Sequence, residues 1–185
     1  MISSLARRPG AVESAGVVRT RRGRVVALRS IRQSDAALLV DLLERLSPEA
    51  RRLRFMMPVS DMPAEVVWRE ARRLAAVDPD RGLALVATAH EDGRERIVGV
   101  ARLCYADDPG EAEFALVVRD DYQGEGLGRA LLERLVAIGR ARGLRRLHGL
   151  TLAENTAVRG LIRTIGLPVA SQTSRGETAV TIAIE

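Results

Sequence analysis

The chain has 185 residues, enough for one domain with a full core, and a formal net charge of +5. Hydrophobic residues make up 46% of it, but no apolar run approaches the roughly 20 residues of a membrane-spanning helix and the N-terminus lacks the apolar stretch of a secretory signal, so a cytoplasmic protein away from the membrane is expected. All 29 basic residues are arginine, which grips carboxylate or phosphate in a bidentate way and favours an anionic ligand or acidic partner, while their scatter and an aromatic content of 3% argue against nucleic acid.

Residues 1 to about 22 mix Ser, Gly, Ala and Arg without periodicity and are expected to form a disordered basic tail, leaving 23–185 as a single domain. The body opens with "RVVALRS", a short strand. Ser34 and Asp35 mark a helix start before Leu38, Leu39, Leu42, Leu43 and Leu46, which recur at helical spacing. Ser47 and Pro48 read as the N-cap and first residue of a second helix reaching about Phe55. A third helix, "PAEVVWREARRLAAV", follows Asp61.

From residue 83 the period becomes that of strands. "LALVATAHE" and "RERIVGVARLCY" flank Asp92-Gly93 and predict an antiparallel hairpin, and "EAEFALVVR" adds a third strand. Cys104 lies in the apolar "VGVARLCY" and is expected to be a small core residue; as the sole cysteine it can form neither an internal disulfide nor a thiolate metal site. His90 and His148 have no ligand-like spacing, so no metal is expected.

A helix follows in "RALLERLVAIGRARG", with Leu131, Leu132, Leu135, Val136 and Ile138 on one side and Gly143 as its stop. "LRRLHGLTL" is then a strand, "ENTAVRGLIRTIG" a helix closing on Gly166, and "PVASQTS" with "TAVTIAIE" a final hairpin around Arg175-Gly176. Its free edge is open to a second copy, which leaves a homodimer as one outcome. An antiparallel meander followed by a strand, helix, strand crossover is an α/β or α+β arrangement.

Between the third strand and its helix stands "QGEGLGR", residues 123–129. A helix N-terminus carries unpaired N–H groups and a partial positive charge, and glycines let a phosphate come close. A tight turn alone would also explain them. The spacing does not fit the dinucleotide fingerprint, whose third glycine would fall on Arg129, and a P-loop requires a lysine that the chain lacks. In "EAEFALVVR", alternation puts Glu111, Glu113, Ala115 and Val117 on one face and Ala112, Phe114, Leu116 and Val118 on the other. Glu113 is an odd charge between apolar neighbours unless it faces a cleft; a solvated residue or an arginine partner would account for it equally.

Gln123, Gly126 and Gly128, as Gln-x-x-Gly-x-Gly between a strand and an amphipathic helix, resemble the acyl-CoA pyrophosphate loop of the GNAT acetyltransferase superfamily, and the element order over about residues 24–185 is similar. "ERLSPEARRLRF", "IVGVARL", "AEFALVVRDDYQGEGLGRALLERLVAIGRARGLRRL" and "LAENTAVRGLIRTIG" further resemble the GNAT domain of bacterial protein-lysine acetyltransferases.

The resemblance implies an α/β (α+β) GNAT fold with a mixed, mostly antiparallel central sheet and helices on both faces. It implies acetyl-CoA as cosubstrate without a metal, and a primary amine as acceptor, a protein lysine among the candidates. Backbone groups of Leu116, Val117 and Val118 would polarise the thioester carbonyl. Gln123, Gly124, Glu125, Gly126, Leu127, Gly128 and Arg129 would hold pyrophosphate, and Asn155 would contact pantetheine, although N-capping of the last helix explains Asn155 nearly as well. Glu113 would be the general base, a partly buried carboxylate of raised pKa. The tyrosine that many GNAT enzymes use to reprotonate the CoA thiolate is replaced by Ile162. That departure keeps two alternatives open, a non-catalytic acyl-CoA-binding module and an enzyme for a small-molecule amine.

Overall fold

Strands begin earlier than the sequence pattern indicates. In the computed structural model, which describes residues 16–56 and 63–185, β1 (Gly16–Arg19) runs antiparallel to β2 (Val25–Ser30), with Gly16 opposite Leu28 and Arg19 opposite Val25. The expected tail therefore gives way to an ordered strand by residue 16, because Gly23, at φ 82°, closes a turn between two pairs of valines. Residues 1–15, and Asp61 ahead of the third helix, lie outside the described residues.

Three helices follow: α1 (Ala36–Arg45), α2 (Pro48–Phe55) and α3 (Ala64–Ala75). Ser47 caps α2 as its position suggests, its hydroxyl accepting from the Ala50 N–H at 3.1 Å. Asp35 precedes α1 but does not cap it. Its carboxylate instead takes two hydrogen bonds from Arg29, at 2.7 and 2.9 Å, and one from the Arg32 N–H at 2.7 Å.

The centre of the molecule is the hairpin of β3 (Gly82–Glu91) and β4 (Arg94–Tyr105), turned by Asp92 and Gly93, both at positive φ. β5 (Glu111–Val118) completes the meander, α4 (Leu127–Ala141) crosses over, and β6 (Arg146–Leu152) returns parallel to β5. α5 (Thr156–Thr164) and the hairpin β7 (Val169–Ser174) and β8 (Glu177–Ala183) finish the chain. The eight strands form one sheet ordered β1-β2-β3-β4-β5-β6-β8-β7, in which the β5–β6 pair is parallel and the rest antiparallel. Among the described residues no helix is long and apolar enough to cross a membrane.

Each face of the sheet buries its own core. Leu131, Leu132 and Leu135 of α4 pack with Leu85, Leu103, Phe114 and Leu147, while Leu39, Leu42 and Leu46 pack with Ala71, Val86 and Ile97 on the other side. The helical spacing read in the sequence thus marks the inward stripes of α1 and α4 correctly. Cys104 is a correction: it is exposed, not a core residue. Alternation along β4 turns Ala101 and Leu103 inward and Arg102 and Cys104 to the opposite face, near the end of the strand.

Candidate functional site

The parallel pairing of β5 with β6 covers Glu111, Ala112 and Glu113, opposite Arg146, Leu147 and His148, and stops there. β6 stays paired with β8 along Arg146 to Leu152, so the two central strands diverge beyond Glu113. The Phe114 ring fills the apex: a Cβ on Gly149 would come within 2.7 Å of it. Past Phe114, the β6-facing backbone groups of β5 have no strand partner among the described residues.

This wedge opens into a cavity of about 450 Å³, walled by Phe114 to Val118, by Gly149, Leu150 and Thr151, and by residues of α2 and α5. At one end lies the glycine segment. Gly124 and Gly126 sit at φ 72° and 91°, a conformation in which any other residue is strained. Gly126 is the N-cap of α4 and offers no side-chain cap, so the first-turn N–H groups of a 15-residue helix are left for an incoming acceptor. Gly128 faces α5, where a Cβ would meet Leu161 at 3.4 Å, an ordinary van der Waals contact.

Of the residues expected at the site, Leu116, Val117, Val118, Gln123, Gly124, Gly126, Gly128, Arg129 and Asn155 line the cavity. Gln123 donates its Nε2 to the Val118 carbonyl at 2.9 Å and Arg129 pairs with Glu133 at 2.8 Å. Asn155 is 6% exposed and its Oδ1 caps α5 through the Val158 N–H at 3.1 Å. It is both a cap and a cavity wall. Ile162, buried at 3%, also lines the cavity.

Three expected residues are not on that wall. Leu127 is fully buried in the core beneath the loop. Glu125 turns its side chain inward, where its Oε1 pairs with Arg24 at 3.0 Å and Arg22 at 3.5 Å without the alignment of a hydrogen bond. Glu113 is exposed, which corrects the expectation of a partly buried carboxylate. It stands opposite Cys104 on β4, at the start of the divergence. On this face α1 packs over β4, whereas α2 reaches β5 and β6, so the N-terminal end of β5 stays open to solvent.

Two residues that sequence reasoning missed contribute charge. Arg21, in the β1–β2 turn, lines the cavity, and its N–H donates to the Glu125 carbonyl at 2.9 Å. Arg24 of the same turn lies 4.1 Å over the Tyr122 ring and donates to the Asp121 carbonyl at 3.0 Å. The N-terminal hairpin therefore clasps the glycine loop. The signal was the Gly23 turn between valine pairs. Arg54 of α2 is the second; burial, and then repulsion from Arg102, pull its pKa down, partly offset by Glu113 and Cys104. Among the described residues, Arg21, Arg54 and Arg129 give the cavity wall three cations and no carboxylate.

α2 is held over the wedge at both ends. Asp120 accepts from the Ser47 N–H at 2.9 Å and from its hydroxyl at 2.6 Å, and Arg52 pairs with Glu154 ahead of α5. The tyrosines are engaged elsewhere. Tyr122 donates to Glu91 at 2.9 Å within a network around Arg119, and Tyr105 meets Arg142. An apolar slot with unpartnered strand-edge groups, a glycine-capped helix N-terminus and a cationic wall suits a long, partly apolar ligand that ends in phosphates.

The comparisons with known proteins agree with that geometry. A family model described as Acetyltransferase (GNAT) domain matches residues 26–168. An acetyltransferase of Pseudomonas aeruginosa is 33% identical over 144 residues, covering 78% of this chain and 75% of that protein. The GNAT domain of PAT from S. lividans superposes with a TM-score of 0.78 at 25% identity, covering 91% of this chain and 96% of the other. The fold is shared with the yncA protein of Salmonella typhimurium, solved with its cofactor acetyl-CoA, at a TM-score of 0.57, 22% identity, and 86% and 94% coverage. With a family model spanning most of its length and a full-domain relative of the same kind, the chain belongs to the GNAT acetyltransferase family.

Proposed function

We propose that the protein transfers the acetyl group of acetyl-CoA to a primary amine by direct attack within a ternary complex, in the cytoplasm. The observation that carries this reading is the wedge between β5 and β6 with the uncapped N-terminus of α4 at its end. Pyrophosphate would accept N–H groups of the 123–129 loop, and its charge would be favoured by the helix dipole and by Arg21 and Arg129. Pantetheine would lie along Leu116, Val117 and Val118, whose backbone N–H groups polarise the thioester carbonyl and stabilise the developing oxyanion.

The amine nitrogen attacks the carbonyl carbon, the C–N bond forms and the C–S bond breaks. Glu113, directly or through water, takes the proton the nitrogen loses; its exposure at the start of the divergence suits relay through solvent. The CoA thiolate takes its proton from solvent, for which a thiol pKa of about 8.5 is no obstacle at neutral pH. The resemblance of the sequence to GNAT domains of bacterial protein-lysine acetyltransferases supports a protein lysine as acceptor, while the cationic wall favours a small amine that carries an anionic group. A non-catalytic acyl-CoA-binding role draws support from Ile162 in place of a tyrosine.

Thiol release from acetyl-CoA in the presence of amines tests the reading. Acceptor-dependent release is expected. Acetyl-CoA bound without release on any amine would favour the non-catalytic role.

A further inference from the structure

Several part-buried arginines in this fold meet carboxylates. Arg24 meets Asp121 and Glu125, Arg29 meets Asp35 and Glu95, Arg96 meets Asp41 and Glu91, and Arg119 meets Glu91 and Asp121. Arg54 and Arg102 differ from these. Neither forms an ion pair among the described residues, although burial lowers the pKa of each. Arg102 donates its Nη1 to the Leu74 carbonyl at 2.7 Å and otherwise meets the Cys104 sulfur; Arg54 lies 5.4 Å over the neighbouring Phe55 ring.

Both border a side pocket of about 30 Å³ whose remaining walls include Leu39, Leu42, Leu74 and Val100. Arg54, Ala115 and Val117 line this pocket and the main cavity alike. The side pocket thus adjoins the wedge, along β5 and away from the glycine loop. Two guanidinium groups that repel one another in a largely apolar setting, offset only in part by Glu113 and Cys104 among the described residues, represent incompletely compensated desolvation, which a bidentate anion relieves. The space exceeds the roughly 10–15 Å³ needed to hold one water molecule and admits a small group such as a carboxylate.

Resting on the acetyl-transfer reading above, we infer that Arg54, backed by Arg102, binds the carboxylate of the acceptor, so that the acceptor is a small amino acid rather than a polyamine or a protein lysine. Arg54 exchanges no proton in the reaction. It holds the acceptor so that its nitrogen reaches the thioester carbon while the C–N bond forms and the thiolate leaves.

The test measures thiol release from acetyl-CoA with the L-amino acids, each paired with its primary amide, on the full chain and on Arg54→Met and Arg54→Lys. The amide loses the anion but keeps the amine, and its lower amine pKa favours attack, so a preference for the acid cannot arise from amine reactivity. The expected result is a kcat/KM at least about tenfold higher for the best acid than for its amide, carried by KM. That ratio falls to about one in Arg54→Met and is partly kept in Arg54→Lys, a comparison of acid with amide that any common change in acetyl-CoA affinity leaves untouched. Amides used as well as acids, an acid preference surviving in Arg54→Met, transfer confined to amines without a carboxylate, or acetyl-CoA bound with no turnover on any acid would each overturn the inference while leaving acyl-CoA binding intact. Failure of the wild-type chain to bind acetyl-CoA in calorimetry would overturn the acetyl-transfer reading itself. Should Arg54→Met fail to fold, the acid-to-amide ratio of the wild-type chain decides alone.

Discussion

The edge of the Phe114 ring lies against Gly149 so closely that a Cβ on Gly149 would stand 2.7 Å from Cε1 of the ring. This contact sits one residue past the last β5–β6 pair and sets where the strands part. Gly149→Ala must therefore displace a buried aromatic side chain. The expected cost is about 1–3 kcal/mol, as for other overpacked cores, with weaker acetyl-CoA binding because the apex moves. Thermal melting and calorimetry check both. A variant as stable as the wild-type chain would mean the apex yields freely.

Glu125 ties the β1–β2 turn to the glycine loop from below. Glu125→Gln keeps the shape and removes the charge facing Arg24 and Arg22. Arg22 is 70% exposed, so the loss falls short of that for a fully buried pair, about 1–2 kcal/mol. Acetyl-CoA affinity should fall several-fold with it, since the turn that carries Arg21 is tied to the loop through the Arg22 and Arg24 pairs with the Glu125 carboxylate. A stability loss with unchanged affinity would separate the hairpin from the site.

Glu113→Gln should lower kcat by about 10²–10⁴-fold and leave acetyl-CoA binding unchanged, the signature of a lost general base. Normal turnover would move proton removal to solvent or another group.

Acid should unfold the protein through the cluster beneath the loop. Hydrogen bonds from Arg119 hold the carboxyls of Glu91 and Asp121 below their ordinary values. Because their folded pKa values are depressed, their contribution is complete above the unfolded values of about 4 and is lost as pH falls through the folded ones. Melting temperature should therefore be insensitive to these groups from neutrality to about pH 5 and fall below about pH 4. In Arg119→Met the whole curve should drop and its acid limb flatten. An unchanged acid limb would assign acid sensitivity elsewhere.

How much of this was legible in the sequence depends on whether one residue's neighbours in the chain reveal its neighbours in space. Leu131, Leu132 and Leu135 mark their helix face by spacing alone, and Asp92-Gly93 declares its hairpin because the turn demands positive φ. The glycine loop announced itself for the same reason. β1 was missed because four residues in a Ser- and Arg-rich stretch carry too short a pattern, and only pairing with β2 makes them a strand. The exposure of Glu113 and Cys104 follows from where the α1 and α2 layers end, which no period encodes. Arg54 could not be read either: in "PEARRLRF" it is one of three arginines, and only the fold places it between two cavities while Arg52 reaches Glu154.

The central claim is that the 123–129 loop and the wedge behind it hold acetyl-CoA. Calorimetric titration of the wild-type chain and of Gly126→Glu with acetyl-CoA tests it most directly. Gly126 is at φ 91° and lines the cavity, so glutamate there adds both backbone strain and a negative charge where pyrophosphate would sit. The account predicts stoichiometric binding to the wild-type chain and none to a variant that still melts cooperatively. Equal affinity in the two proteins would contradict it.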